Sequence, residues 1–437
     1  MVLRVPKSAL LTTDALLLKD DSALSYAVNN HANSHLPLSP TQILTACLLY
    51  EMGKGKSSLW HPYFLQLPRA YHLLSSFTRF ETEALQVDDA IWAAEKATSK
   101  AKLEWEEAKP LIQELELKPQ LCTFKAWLWA SATISSRTMH IEWDEAGCLC
   151  PVGDLFNYAA PGEETNGFEN AGSIYGSSLQ NSDTHLESLT DGGYNEAIAA
   201  YCFYARRNYR KGEQVLLSYG TYTNLELLEQ YGFLLNENPN DKVFIPLEPR
   251  IYSCSSWPKE SMYIQEYGKP SYALLSGMRL WATPPHQRRS LGRLAYSGSQ
   301  LSMENELSVM EWISEHCCRI LNNLPTTIEE DNLLLSTIDQ AKSLLEPVEM
   351  TKLLCSFGRE ARAFLEENDL QKDKNGVNSV LSSKIRRPMD RWRLAVQWRI
   401  KYKGTLIDCI SNCNEIINSL SSQNDLTKRT EQYVQST

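Results

Sequence analysis

The sequence predicts an α+β chain in which a helical block precedes a strand-rich stretch and a helical region follows it. Three observations carry this. Apolar residues recur at helical spacing through 41–97 and 100–117, short strand-like runs lie between residues 124 and 219, and helical periodicity returns after residue 240. At 437 residues the chain exceeds the usual size of one hydrophobic core, so two domains, or one with a large insertion, are expected.

In chain order, Met1-Val-Leu-Arg-Val-Pro6 alternates like a strand and stops at a strand-breaking proline. The helical block is rich in Ala, Glu, Lys and Leu, with Pro62, Pro68 and Pro110 as its interruptions. From Phe124 to Phe156 the chain becomes rich in Trp, Ile and Cys, and Ala200–Ala205 and Gln214–Tyr219 read as short strands. Residues 160–195, full of Gly, Asn, Ser, Asp and Glu, read as a long polar loop. Beyond residue 240, Leu307–Leu321, Glu329–Leu345 and Arg391–Ile417 are the clearest helices, with Val396, Ile400, Ile407 and Ile410 placed on one face of the last. The final stretch is polar and predicted to fray.

Composition narrows the function. A chain that is 43% apolar and 22% charged folds rather than remaining disordered. Its net charge of −10 argues against direct nucleic-acid binding, which needs a basic surface to displace counterions from phosphates. Eleven cysteines without a CxxC pair or a signal-peptide pattern point to reduced thiols in a reducing compartment, and the cytoplasm is expected, with nucleus and chloroplast as alternatives. No apolar run reaches the roughly 18 residues of a membrane span.

Several motifs fail. Gly53-Lys-Gly-Lys-Ser57 resembles the end of a phosphate loop, but Tyr50 stands where its first glycine belongs. His31 and His35 lack the glutamate and third ligand of a zinc helix and read as solvent-facing loop histidines. Cys148 with Cys150, and Cys409 with Cys413, fall short of four ligands and read as buried structural thiols, so no metal is expected. No G-x-S-x-G elbow is present.

Two stretches hold: Cys150-Pro-Val-Gly-Asp-Leu-Phe-Asn-Tyr158 and Lys211-Gly-Glu-Gln-Val-Leu-Leu-Ser-Tyr-Gly220. They resemble the two signature segments of SET-domain protein methyltransferases, which cross in a knot-like arrangement. Asn224–Phe233 and Asn238-x-x-Asp241 follow them in order. With Ser57-x-x-Trp60-x-Pro-Tyr63, Leu67-Pro68, Ser136-Arg137, Pro325–Asp331 and Leu394–Arg399, they resemble the branch of the Rubisco large-subunit and actin-histidine methyltransferases over almost the whole chain.

The resemblance implies a SET core in two parts, 1–40 and 131–236, a helical insert at 41–130, a helical substrate-binding domain at 240–420 and a polar tail at 421–437. It also implies S-adenosyl-L-methionine as cofactor, held by Arg137, the run Asp154, Leu155, Phe156, Asn157 and Tyr158, and the run Tyr231, Gly232 and Phe233. Tyr219 would be the catalytic residue, lining a substrate channel with Met139, and the substrate would be a protein bound by the core and the helical domain of a monomer. A methionine at 139 offers no hydrogen bond to an imidazole, which favours lysine over histidine as acceptor. A catalytically silent SET fold that binds partners through residues 240–437 is the alternative from another class.

Two departures from the family pattern bear on activity. Tyr158 stands where the family has histidine. The Gly-x-Gly strand that opens SET domains has no match, since Val2–Pro6 corresponds to the strand after it, so the N-terminal part of the core is expected to be incomplete. Finally, the basic segment from Lys384 through Arg391, Arg393, Arg399, Lys401 and Lys403, with Trp392 and Trp398, reads as a solvated helix face with its tryptophans in the core. Docking of an acidic partner is the second reading.

Overall fold

The computed structural model describes residues 1–17, 22–34, 36–160, 191–205, 207–344, 347–368 and 379–435. The chain divides into two compact units: residues 1–84, 88–237 and 373–394, and residues 85–87, 238–372 and 395–437.

In the first unit the N-terminal alternation becomes β1 (Leu3–Pro6), with Val5 buried between exposed Arg4 and Pro6. Short helices α1 (Thr13–Leu17) and α2 (Ser22–Ser34) lead to α3 (Pro40–Gly53). Ser39 and Gln42 close a capping box at the start of α3, and Pro40 occupies its first turn, where a missing N–H costs nothing. His31 is a correction to the sequence reading: it lies on α2 and is only 3% exposed, because α2 packs against the long helix that follows. His35 lies outside the described residues.

After α4 (His61–Phe64) and α5 (Arg79–Glu83), α6 (Asp88–Glu114) runs straight through Pro110. Here the proline does not interrupt. It removes one backbone bond near the helix end, while buried Ala108, Leu111 and Ile112 around it hold the turn against the core. α7 (Phe124–Arg137), capped by Thr123, buries Trp127, Ala130, Thr133 and Ile134 and delivers Arg137 at its last turn. Leu44, Leu48, Leu111, Ile112, Trp127 and Ala130 form the centre of this core.

The strands follow. β2 (Thr138–Ile141) and β3 (Asp144–Leu149) form an antiparallel hairpin. Its irregular register depends on Gly147, at φ +76°, where a Cβ would lie 2.5 Å from the Met139 carbonyl oxygen. β4 (Asn157–Tyr158) comes next, then β5 (Asp191–Asn195), β6 (Ala200–Tyr204) and β7 (Leu216–Leu217). β6 is the middle of a three-stranded antiparallel sheet between β1 and β5 and is buried over four of its residues. Part of the expected polar loop is therefore strand: residues 191–195 pair with β6, and Gly192 leaves room for the Phe203 ring. Residues 161–190 of that loop lie outside the described residues. β4 and β7 pair in parallel, Asn157 opposite Leu216 and Tyr158 opposite Leu217, so the two signature stretches do lie side by side. α8 (Asn224–Gln230) closes the unit.

The second unit is helical apart from the pair β8 (Lys242–Val243) and β9 (Ile264–Gln265). Its helices are α9 (Pro249–Tyr252), α10 (Tyr272–Trp281), α11 (Arg288–Tyr296), α12 (Met303–Asn323), α13 (Ile328–Ser343), α14 (Pro347–Cys355) and α15 (Gly358–Glu367). The last helix, α16 (Ser379–Gln435), contributes residues 379–394 to the first unit and the rest to the second. It also continues through most of the stretch expected to fray, since extending a formed helix costs little.

The buried stripe of α16 shares only Val396, 0% exposed, with the aliphatic face read from the sequence. Trp392, Arg399, Leu406 and Cys413 recur every seven residues with Ala395, Tyr402 and Cys409 between them, and all are buried, while Ile407 is 38% exposed. Two charged residues on that face disguise it. Arg399 is 0% and Lys403 1% exposed, and their partners are internal: Asp331 lies 2.8 Å from Arg399 and 2.5 Å from Lys403, and Glu360 lies 2.9 Å from Arg399. Arg391, in the first unit, pairs with buried Glu81 at 2.7 Å. These basic residues form neither a solvated face nor a free docking surface. Among the described residues no helix is long and apolar enough to cross a membrane, no cluster fits a metal ion, and all eleven cysteines are free.

Candidate active site

The first half of the site is a buried ionic knot. After β3 the chain kinks at Val152, whose φ of 71° is rare for a branched residue, and forms a short 3-10 turn at Gly153–Leu155. Gly153 is required there, because a Cβ would lie 2.7 Å from both the Cys150 sulfur and the Phe203 ring. The kink turns Asp154 inward to 8% exposure. Its Oδ2 accepts a hydrogen bond from the Tyr63 hydroxyl at 2.7 Å and another from Arg137 Nη1 at 3.1 Å, and the same nitrogen donates to the Asp154 carbonyl at 3.1 Å. Arg137 Nε donates to the Tyr71 hydroxyl at 3.1 Å, and that hydroxyl is also 3.1 Å from Thr133 Oγ1.

Electrostatics follow burial. Burial raises Asp154 above the ordinary carboxylate range, against the lowering effects of the Tyr63 hydrogen bond and the Arg137 charge. Burial pulls Arg137 down, but Tyr71 and Asp154 outweigh it, so the guanidinium is held charged. Tyr63 is pushed up by burial and then by Asp154, so it stays a donor. Asp154 Oδ1 is buried with no hydrogen-bond partner among the described residues, and Nη2 of Arg137 is likewise without one.

The second half is aromatic. Tyr158, on β4, is 8% exposed, and its hydroxyl donates to the Gly220 carbonyl at 2.8 Å. Tyr219, two residues beyond β7, donates to the Phe156 carbonyl. Each signature stretch thus hydrogen-bonds the other through a tyrosine. Around them the Tyr219 ring lies 5.2 Å from Tyr158 and 5.3 Å from Tyr231, and Phe233 lies 6.1 Å from Tyr158 and 6.1 Å from Tyr231. Burial pushes the Tyr219 hydroxyl up to about 12, with Arg137 lowering it and Asp154 raising it, so the phenol also feels the ionic knot.

Local sequence explains how the last aromatics arrive. A capping box between Thr223 and Glu226 starts α8. Asn224, buried on that helix, accepts from the Leu235 amide at 2.9 Å and ties down the chain that leaves it. Gly232, at φ +77°, lies against the His72 backbone, where a Cβ would come within 3.0 Å. That close approach sets Tyr231 and Phe233 on either side of it.

The structure therefore gathers Arg137 and Asp154 in one cluster and Tyr158, Tyr219, Tyr231 and Phe233 in another, joined through Phe156. Met139 is half-buried in the hydrophobic cluster that includes Phe156 and Tyr219. Asn157 is exposed, and Leu155 is 50% exposed on the rim of a cleft of about 520 Å³ lined by Trp60, Tyr63, Val152 and others. The sequence reading does not single out Tyr71, Thr133 or Tyr222, whereas Asn224 opens the run Asn224–Phe233. Tyr63 stood within the pattern Ser57-x-x-Trp60-x-Pro-Tyr63, which was the one available signal.

A parallel pairing of two signature stretches, a helical insert and a mainly helical second unit define the class: the chain belongs to the SET-domain methyltransferase family. Residues 254–403 match the family model described as Rubisco LSMT substrate-binding. Over 432 residues the chain is 55% identical to the protein SET DOMAIN GROUP 40 of Arabidopsis thaliana, covering 97% of this chain and 87% of that one. It is 25% identical to the actin-histidine N-methyltransferase of Canis lupus familiaris over 65% of this chain and 49% of the relative. The fold is similar to the SET domain of LSMT solved with lysine and AdoHcy, with a TM-score of 0.55 at 18% identity over 96% of this chain and 83% of that one.

Proposed function

We propose that this protein transfers a methyl group from S-adenosylmethionine to a lysine side chain of a protein substrate. The observation that carries the reading is Arg137: Tyr71 and Asp154 fix two of its nitrogens, the third is uncommitted, and a wall of aromatic rings stands near it. That open guanidinium edge fits the carboxylate of an amino-acid group, and the rings of Tyr219, Tyr231 and Phe233 fit a cation such as a sulfonium. Asn157, exposed at the end of the Asp154 run, offers an amide to the same ligand, beside Leu155, Phe156 and Tyr158. When bound, the cofactor supplies an activated methyl.

The chain's own work is alignment. Lysine in water holds its proton to about pH 10.4, and only the neutral amine attacks. Tyr219 stays protonated and spends that proton on Phe156, so it meets the amine with a lone pair and orients it without acting as a base. Asp154 is committed to Tyr63 and Arg137 and is no base either. The amine proton therefore leaves to solvent before transfer. Met139 lines the acceptor side without a hydrogen bond for an imidazole, which favours lysine, although a relative is an actin-histidine enzyme.

Residues 240–420 are the docking region for the substrate, and the protein acts as a monomer in a reducing compartment such as the cytoplasm. The test is labelled cofactor with purified protein and a plant protein extract. Label on lysine supports the reading, label confined to histidine overturns the acceptor, and no calorimetric heat with millimolar cofactor favours a silent SET fold.

A further inference from the structure

We infer that Tyr71 is a positioning residue, whose phenol sets the guanidinium of Arg137 so that its remaining edge meets the carboxylate of the cofactor's amino-acid group. The inference rests on the methyltransferase reading and extends it to a residue outside both signature stretches.

The geometry is specific. A guanidinium is planar, so anchoring two of its nitrogens fixes the third. Asp154 takes Nη1 through both its carboxylate and its carbonyl, each at 3.1 Å, and Tyr71 takes Nε at 3.1 Å. Asp154 alone would leave the plane free to turn about that single nitrogen. Tyr71 removes this freedom, and among the described residues nothing takes Nη2, which stays open to a ligand on a side chain 18% exposed.

Tyr71 is itself held as an acceptor. Thr133 is fully buried, and its hydroxyl proton faces both the Tyr71 oxygen at 3.1 Å and the Trp129 carbonyl at 2.9 Å. The Tyr71 oxygen thus accepts from Thr133 Oγ1 and from Arg137 Nε, each 3.1 Å away. Its ring packs against Trp129 with centroids 6.3 Å apart. A phenol also suits the task better than a second carboxylate would. Asp154 already balances the Arg137 charge, and another anion would repel the incoming carboxylate. The neutral oxygen gives direction without negative charge.

The experiment compares two ligands by titration calorimetry. S-adenosylhomocysteine carries the amino-acid group; 5′-methylthioadenosine lacks it. Tyr71→Phe keeps the ring and removes the acceptor. Its affinity for S-adenosylhomocysteine is expected to fall about tenfold, the effect of one charge-assisted hydrogen bond, with methylthioadenosine affinity unchanged. The KM for the cofactor should rise by a similar factor while kcat holds. Thr133→Val, which removes the second donor to the Tyr71 oxygen, should give a smaller loss with the same selectivity. Equal losses for both ligands, or no loss for S-adenosylhomocysteine, overturn the inference and leave the methyltransferase reading standing. Wild-type protein that binds no S-adenosylhomocysteine overturns both.

Discussion

Each unit buries an arginine against an aspartate, and the two arrangements differ in one respect. In the second unit Arg399 is fully enclosed: Nη1 donates to Glu360 at 2.9 Å, Nη2 to Asp331 at 2.8 Å and to Glu360 at 3.0 Å, and Lys403 shares Asp331 while also donating to the Thr326 carbonyl at 2.6 Å. In the first unit Arg137 has one carboxylate and one phenol and keeps an edge open. A closed ionic cluster is architecture, since Arg399 and Asp331 are 0% exposed and no ligand can reach their charges. An open one spends two bonds on orientation and keeps the third for chemistry. Burial and pairing are common to both, so neither marks a site by itself.

The comparison breaks most visibly if Arg399 is removed. Arg399→Ala leaves the fully buried Asp331 with too little compensation, and a loss of about 3–5 kcal/mol of stability is expected in chemical denaturation of the second unit. A variant that melts like wild type would show that the cluster is not structural. Tyr219→Phe should act on rate alone, lowering kcat about a hundredfold through lost alignment, with cofactor affinity and melting temperature nearly intact. Single-turnover assays with saturating cofactor would show it, and retained transfer would remove Tyr219 from the catalytic role. Arg137→Lys keeps a charge but loses the fork, so S-adenosylhomocysteine should bind roughly tenfold to a hundredfold more weakly with only a small drop in melting temperature. If that drop rivalled the one at Arg399, the distinction between open and closed clusters would fail.

Smaller effects sharpen the site. Tyr158→Phe deletes one hydrogen bond to the Gly220 carbonyl and should cost about 1 kcal/mol of stability, while Tyr158→His tests whether the family's imidazole fits the same crossing. Tyr219, pushed up to about 12, keeps its proton throughout ordinary assay conditions. The rate should therefore climb with pH as the acceptor amine loses its proton, with no falling limb from the phenol below about pH 11. A falling limb at lower pH that moves in Tyr219 variants would contradict the protonation assigned to it.

The sequence carried the family and the approximate placement of its parts because that information is local. Ordered motifs survive as short words, helical periodicity repeats every few residues, and both signature stretches are legible without knowing what they touch. The same locality explains the errors. Pro110 was read as an interruption because local propensity does not register how firmly Leu111 and Ile112 hold their helix to the core. Residues 191–195 were read as loop because their partner strand was not visible beside them. The α16 stripe was missed because Arg399 and Lys403 count as polar until Asp331 and Glu360 are brought to them.

The ionic knot belongs to the same class of long-range fact. Tyr71 and Arg137 are 66 residues apart, and Tyr63 and Asp154 are 91 apart. From the sequence alone, Arg137 could be matched to a family pattern and the type of ligand inferred. Which of its nitrogens is spent, which is open and what holds it were decided only in three dimensions. Hydrogen-bond direction depends on where distant side chains meet, and no periodicity along the chain encodes that.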